Sequence, residues 1–260
     1  MCTLIVFHHC FADAEFVIAA NRDEYLDRPA EPPAPRFWHG RMVLAPRDAR
    51  AGGTWLGTND AGVFAGLTNR PTPSLDGSRR SRGLLVKDAL AASSAAEAAA
   101  RLALLPARSY NPFNLLVCDA RDAFVVVYEE KAELKRLSAG PHVIGNGDPD
   151  SRRLPKVARL LDEAGEIARG SAEAALAALE TLCATHGSAG GGPLEATCIH
   201  AGAYGTRSST LMWRGRRRDQ DVFRFSDGPP CSQPYRDYTP LLTQLDPTGR
   251  RTGAAERMHA

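Results

Sequence analysis

With 260 residues and 32 basic against 30 acidic side chains, the chain has a formal net charge of only +2. It therefore has no global field to attract nucleic acid or an anionic membrane, and small-molecule chemistry is the default. No apolar stretch approaches the roughly 18 residues of a membrane span, and Leu4 to Phe7 is too short for a signal sequence. Six cysteines, at 2, 10, 118, 183, 198 and 231, lack CxxC spacing and read as reduced thiols in a cytoplasm.

In chain order, Cys2 to His9 and Glu15 to Ala20 are β-branched and apolar runs joined by a turn at Phe11 to Ala14, a hairpin that begins at residue two. Pro29 to Pro35 is expected to be a surface connection outside any sheet. Thr54 to Gly57 and Val63 to Thr68 flank the turn residues Asn59, Asp60 and Gly62, and Gly52 and Gly53 mark a close backbone approach. Gly83 to Leu105 is helical in composition, with Ser94 and Glu97 as a capping box that starts a second helix. Phe113 to Cys118 and Ala123 to Glu129 form a hairpin, followed by short strands at Leu134 to Leu137 and His142 to Ile144 and a turn at Gly145 to Asp148. Helices are expected at Pro155 to Ala164 and at Ala172 to Ala184, the second capped by Ser171. Ala196 to His200, Ser208 to Trp213 and Val222 to Phe225 complete the strands. Residues 1–228 read as one domain and 229–260 as an irregular tail whose end lacks fixed structure. Strands, helices and strands in this order give an α+β protein of two packed antiparallel sheets with helices outside. There is no βαβ rhythm and no Gly-rich phosphate loop.

A thiol directly behind Met1 becomes the N-terminal residue once Met1 is removed, and its α-amine, with a pKa of about 7.7 to 8.0, can then take the thiol proton near neutrality. Asn21-Arg22-Asp23-Glu24 places four hydrogen-bonding side chains at the end of the second strand. Read alone, Arg22 and Asp23 are a surface pair. Together with Cys2-Thr3-Leu4, Ala51 to Gly57, Ala65 to Asn69, Gly145-Asn146-Gly147 and Tyr204 to Ser209, the string resembles the NRDE family, also called the transport and Golgi organisation protein 2 family, from residue 1 to about 215.

That family is in turn similar to N-terminal nucleophile hydrolases of the penicillin V acylase and bile salt hydrolase type, which have a four-layer αββα fold. The resemblance implies Cys2 as the nucleophile, Asn69 as an oxyanion donor, Asn146 as a residue orienting the α-amine, Asp23 as the carboxylate holding the N-terminus and Arg207 as an arginine lining the site. Arg22 departs from the pattern, because in the acylases the arginine precedes the aspartate by a few residues. Substrate contacts are expected at Asn21, Arg22, Trp55 and Arg70.

Other features have blander readings. Cys183-x-x-His186 and Cys198-x-His200 supply four possible tetrahedral ligands, but strand spacing aligns only Cys198 with His200, so no metal site is expected. His8 and His9 alternate faces, one buried and one solvated, and either could ligate haem. Arg79-Arg80-x-Arg82 and the cluster from Arg214 to Arg218 read as solvated loops, or else as a greeting for an anionic head group. Trp38 and Trp55 read as core or rim packing rather than a stacking platform. Two functions follow: a cofactor-free cysteine hydrolase of an amide or thioester, or a non-catalytic carrier of haem, acyl-CoA or lipid, the latter weakened for permanent haem attachment by the lack of a CxxCH or Cys-Pro motif.

Overall fold

The computed structural model describes residues 2–187 and 192–245. Within them the chain forms β1 (Cys2–His8), β2 (Ala14–Tyr25), β3 (Ala30–Trp38), β4 (Arg41–Asp48), β5 (Leu56–Asn59) and β6 (Phe64–Asn69), then α1 (Arg82–Ala89) and α2 (Ala95–Ala103). There follow β7 (Phe113–Cys118), β8 (Ala123–Tyr128), β9 (Ala132–Arg136), β10 (Gly140–Ile144), α3 (Pro155–Ile167) and α4 (Ala172–Cys183), and last β11 (His200–Ala201), β12 (Tyr204–Gly215), β13 (Val222–Ser226), β14 (Arg236–Asp237) and α5 (Thr239–Leu242). The first sheet has the order β10-β1-β2-β12-β13-β14, with β11 beside β12, and the second is a meander from β3 to β9. Every pairing is antiparallel.

Strand alternation builds three apolar layers. Leu4, Val6, Phe16, Ile18 and Ala20 face Leu44, Leu56, Phe64 and Leu116 across the space between the sheets. The opposite side chains of β1 and β2, among them Ile5, Phe7, Val17 and Ala19, pack on Val157, Leu160, Leu176 and Leu179 of α3 and α4. On the far side, Val43, Ala45, Ala65 and Leu115 pack on Leu85, Val86, Ala98 and Leu102 of α1 and α2. The result is the four-layer αββα sandwich. The expected caps form, with the Glu97 amide donating to Ser94 Oγ at 3.1 Å and the Ala174 amide to Ser171 Oγ at 3.2 Å.

Several segments depart from the sequence reading: Arg41–Asp48 is a strand it passed over, and of Ala196 to His200 only His200 lies in a strand. Pro29 to Pro35 lies largely within strand β3, not in a connection. β3 is the edge of its sheet, paired only with β4, and a register shift between Glu31 and Ala34 takes up Pro32 and Pro33, so no ladder bond needs their missing N–H groups. Past residue 228 the chain is also more regular than expected. β14 pairs with β13, while Tyr238, Leu241, Leu242 and Leu245 cover the inter-sheet core. The expected disorder at the end of the chain falls on 246–260, outside the described residues.

The loop between β4 and β5 is fastened to the start of α1 by two glycines. A Cβ on Gly53 would sit 2.4 Å from the Gly83 carbonyl carbon, and the Thr54 amide donates to the Gly83 carbonyl at 3.0 Å. Gly53→Ala is expected to destabilise the fold by about 1 to 3 kcal/mol through overpacking alone. Urea unfolding measures this, and an unchanged midpoint would show that the two backbones can separate freely.

Candidate functional site

Cys2 opens β1 and stands in register with Arg22 on β2, which in turn pairs with Ser208 on β12. Paired residues share a face, so this row points between the sheets, into a cavity of about 290 Å³. Trp55, Asn69, Glu24, Asp48, Arg28 and Arg82 are among its walls. Burial pushes the Cys2 thiol above its ordinary pKa, an effect that Asp23 reinforces and Arg22 opposes. The resting thiol is therefore protonated at neutral pH.

Arg22 is only 5% exposed, and its guanidinium lies 4.3 Å from the centre of the Trp55 ring, a cation–π contact. Glu24 and Asp48 each approach it at 3.7 Å, while Nη1 is buried without a hydrogen-bond acceptor. Burial lowers its pKa, countered by Cys2, Glu24 and Asp48. Arg82, also desolvated, donates to the Pro112 carbonyl at 2.9 Å and has no ion pair among the described residues. Arg79 and Arg80 line the same cavity from a loop in which Arg80 stays exposed, so the expected solvated loop also forms a wall of the site. Their charges are committed elsewhere, Arg79 to Asp76 at 3.1 Å and Arg80 to Asp88 at 2.5 Å. Arg28 is held by Asp48 at 2.7 Å.

Asn69, at the end of β6, reaches the cavity, and its carbonyl accepts a 2.5 Å bond from Asn146 Nδ2. Asn146 sits in the turn after β10, which is tied to the other sheet: Thr68 donates to the Gly145 carbonyl at 2.6 Å, and Asn114 to the Gly145 and Gly147 carbonyls at 3.1 and 2.8 Å. Asn114, which the sequence reading passed over, thus helps position Asn146. Gly145 and Asn146 are not among the walls of the thiol cavity; they line a second cavity, of about 540 Å³, with Thr3, Leu154, Val157, Leu160 and Lys156.

The remaining candidates lie away from the thiol cavity. Asp23 is buried on the helix-facing side of β2, where Thr206 donates to it at 2.6 Å. Burial pushes its carboxyl up to about 6, against the pull of Lys156, Thr206 and Arg22. Lys156, in the first turn of α3, is the charge partner that sequence reasoning missed; burial depresses its pKa, and Asp23 and Cys2 oppose that. Only its place directly after Pro155, at the expected start of a helix, marks it in the sequence.

Asn21 is buried on the helix side of β2 and is not among the walls of the thiol cavity. Its amide donates to the Cys183 and Thr197 carbonyls, both at 2.9 Å, and its carbonyl accepts from Ser209 at 2.6 Å, which uses both donors. Arg207 falls at a bulge in β12 and pairs with Asp227 at 2.9 Å, outside the cavity walls. Arg70 lines the second cavity, held by Glu129 at 2.7 Å and Asp148 at 3.0 Å. His8 is buried with Nε2 against the Asp119 carbonyl at 3.1 Å, and His9 is half-buried at φ 53°.

Residues 1–223 match the family model described as Transport and Golgi organisation 2. The human Transport and Golgi organization protein 2 homolog is 27% identical over 227 residues, covering 75% of this chain and 80% of its own. Among solved structures, penicillin V acylase from Agrobacterium tumefaciens aligns with a TM-score of 0.56 at 14% identity, covering 87% of this chain and 83% of its own. The C2A mutant of conjugated bile acid hydrolase from Clostridium perfringens aligns with a TM-score of 0.53 at 11% identity, covering 92% and 96%. These likenesses show the N-terminal nucleophile hydrolase fold. No helix among the described residues is long and apolar enough to cross a membrane.

A carboxyl raised from 3.8 to about 6 by folding favours the folded state below pH 3.8, and that contribution is lost as pH rises through 6. In Asp23→Asn this dependence is absent. The stability of the native chain relative to the variant should therefore fall, by on the order of 3 kcal/mol, between pH 4 and pH 7. Paired urea titrations at the two pH values test it, and a difference that grows in favour of the native chain would contradict the burial assignment.

Proposed function

The chain belongs to the Transport and Golgi organisation 2 family, and from that premise we propose that it is an N-terminal cysteine hydrolase acting on a non-peptide amide or thioester bond of an acyl substrate. The observation that carries the reading is the row Cys2, Arg22 opening onto a cavity in which a buried Arg22 N–H has no acceptor in the protein. A buried donor left unmatched costs about 1 to 3 kcal/mol, which a ligand oxygen would recover.

The chemistry needs a base. No histidine is among the residues lining the cavity, and the Cys2 thiol is protonated at rest. Removal of the residue ahead of Cys2 supplies one, since its own α-amine then sits beside Sγ; Met1 itself lies outside the described residues. As Sγ bonds to the substrate carbonyl carbon, the amine takes the thiol proton and the carbonyl π pair moves to oxygen. The Asn69 side-chain amide is the donor for that oxyanion. Collapse of the adduct expels the amine or thiol leaving group with the proton from the ammonium, and water then hydrolyses the acyl-cysteine. Arg22 and Arg82, the two cavity guanidiniums with no carboxylate at hydrogen-bonding distance, favour a substrate that carries an anionic group near the scissile bond.

The carrier reading draws support from the 540 Å³ cavity, whose apolar side is Leu154, Pro155, Val157, Leu160 and Leu194. It suits an acyl chain. Haem fits poorly, because no His, Cys or Met lines that cavity, while the one bordered by His8 and His9 carries Arg121, Asp122 and Arg136. Six free thiols support a reducing, cytoplasmic setting.

Peptide mapping after brief treatment with limiting iodoacetamide is expected to find Met1 absent and Cys2 labelled ahead of the other five thiols. With an acyl amide or thioester hydrolysed by the native chain, Cys2→Ala should abolish turnover and Asn69→Ala should lower kcat by about 10² to 10³. Retained Met1 together with undiminished turnover in Cys2→Ala would overturn the mechanism.

A further inference from the structure

Four metal-ligating side chains converge at the opposite end of β12 from its hairpin with β13. Cys198 Sγ lies 3.6 Å from Cys231 Sγ and 3.7 Å from His200 Nε2, and His200 Nε2 lies 3.3 Å from Cys231 Sγ. The ligand atoms of His186, Cys198 and His200 all fall within 4.8 Å of one another. A tetrahedral zinc with Zn–S of about 2.3 Å and Zn–N of about 2.0 to 2.1 Å separates sulfur from sulfur by roughly 3.8 Å and sulfur from nitrogen by roughly 3.6 Å. Cys198, His200 and Cys231 already have those spacings, and His186, exposed and within 4.8 Å of the Cys198 and His200 ligand atoms, is the side chain that must move in to complete the set.

We propose that His186, Cys198, His200 and Cys231 form a closed structural zinc site. Of the Cys and His residues the sequence offers here, Cys183 is buried in the core on α4, and Cys231 stands in its place beside Cys198 and His200. Each residue is held independently of any metal. Helix α4 delivers His186, whose Nδ1 is 3.3 Å from the Cys198 carbonyl, leaving Nε2 as the metal-binding nitrogen. The Cys198 amide donates to the Thr185 carbonyl at 2.9 Å. His200 starts β11, in register with Gly205. Cys231 sits in a turn fixed by Ser232 and Gln233 amides on the Pro229 carbonyl and by Ser226 on the Gln233 carbonyl.

Two thiolates and two imidazoles with no open position match zinc in a structural role. On binding, each thiol gives its proton to solvent as its sulfur–zinc bond forms, and both imidazoles bind neutral. Such an ion fastens three stretches that are far apart in sequence. It also immobilises residues 197 to 199, where the Thr197 carbonyl accepts from Asn21 and the Ile199 amide donates to Thr206, which in turn donates to Asp23.

The full chain, reduced and dialysed against zinc, is expected to retain one zinc per molecule by elemental mass spectrometry. Cobalt(II) in its place should show the intense visible bands of a tetrahedral ion and a near-ultraviolet thiolate-to-cobalt band. Cys231→Ser and His200→Ala, both at exposed positions whose circular dichroism should match the native chain, are expected to lose stoichiometric metal and weaken the thiolate band. Cys2→Ala, Cys10→Ser and Cys183→Ala should keep both. Substoichiometric zinc after reduction and reloading, a cobalt spectrum without thiolate charge transfer, a Cys198–Cys231 disulfide that re-forms in preference to metal binding, or full retention of metal by folded Cys231→Ser would each overturn the proposal.

Discussion

The two-residue period of β2 governs most of what this chain does. β2 is an interior strand, paired along its length with β1 and β12, and both of its faces are covered, one by the second sheet and the other by α3 and α4. Four consecutive polar residues at its end are therefore dealt alternately to two environments. Arg22 goes to the thiol cavity with Cys2; Asn21 and Asp23 go to the helix side, where they bond to Ser209, Thr206 and the chain around Thr197. A slip of one residue would reverse the assignment and place a carboxylate beside the thiol in place of a guanidinium.

That alternation resolves a tension in the sequence. An arginine adjacent to the aspartate, where the acylase pattern has it a few residues earlier, must point to the other face. Here the other face is the one with the nucleophile. Arg22 stays charged in a desolvated place because Trp55 covers its plane and Glu24 and Asp48 stand at 3.7 Å. At that distance the carboxylates offset part of the desolvation cost yet leave the N–H groups free of short bonds. A tightly paired guanidinium, such as Arg28 on Asp48, has less to offer a ligand.

Much of the architecture was legible because it rests on local signals. The opening hairpin, the caps at Ser94 and Ser171 and the four layers follow from alternation, helix-start chemistry and the order of elements. What was not legible depends on partners distant in sequence. Pro32 and Pro33 sit in a strand because β3 has only one neighbour, a fact about sheet order that no local pattern encodes. Arg207 is withdrawn from the site by a bulge in β12. Asn21 looks like a free binding group until its three acceptors and donors, 162 to 188 residues away, are in view. Lys156 bears on Asp23 only because α3 packs, over β10, on the sheet face that the aspartate shares.

Asp23 and Lys156 raise the question of why charge is buried behind the nucleophile at all. Neither is stabilised as an ion by its surroundings: burial pushes the carboxyl up and the ammonium down, and each is the other's main electrostatic relief on the protein side chains around it. An apolar pair of similar volume would cost less desolvation. It would not, however, accept from Thr206, and Thr206 is the residue that holds the Ile199 amide. The buried carboxylate thus joins β2, β12 and the 197 to 199 segment at the level of Cys2, so that the strand end bearing the thiol is fixed by directional bonds where apolar packing alone would leave it free to fray.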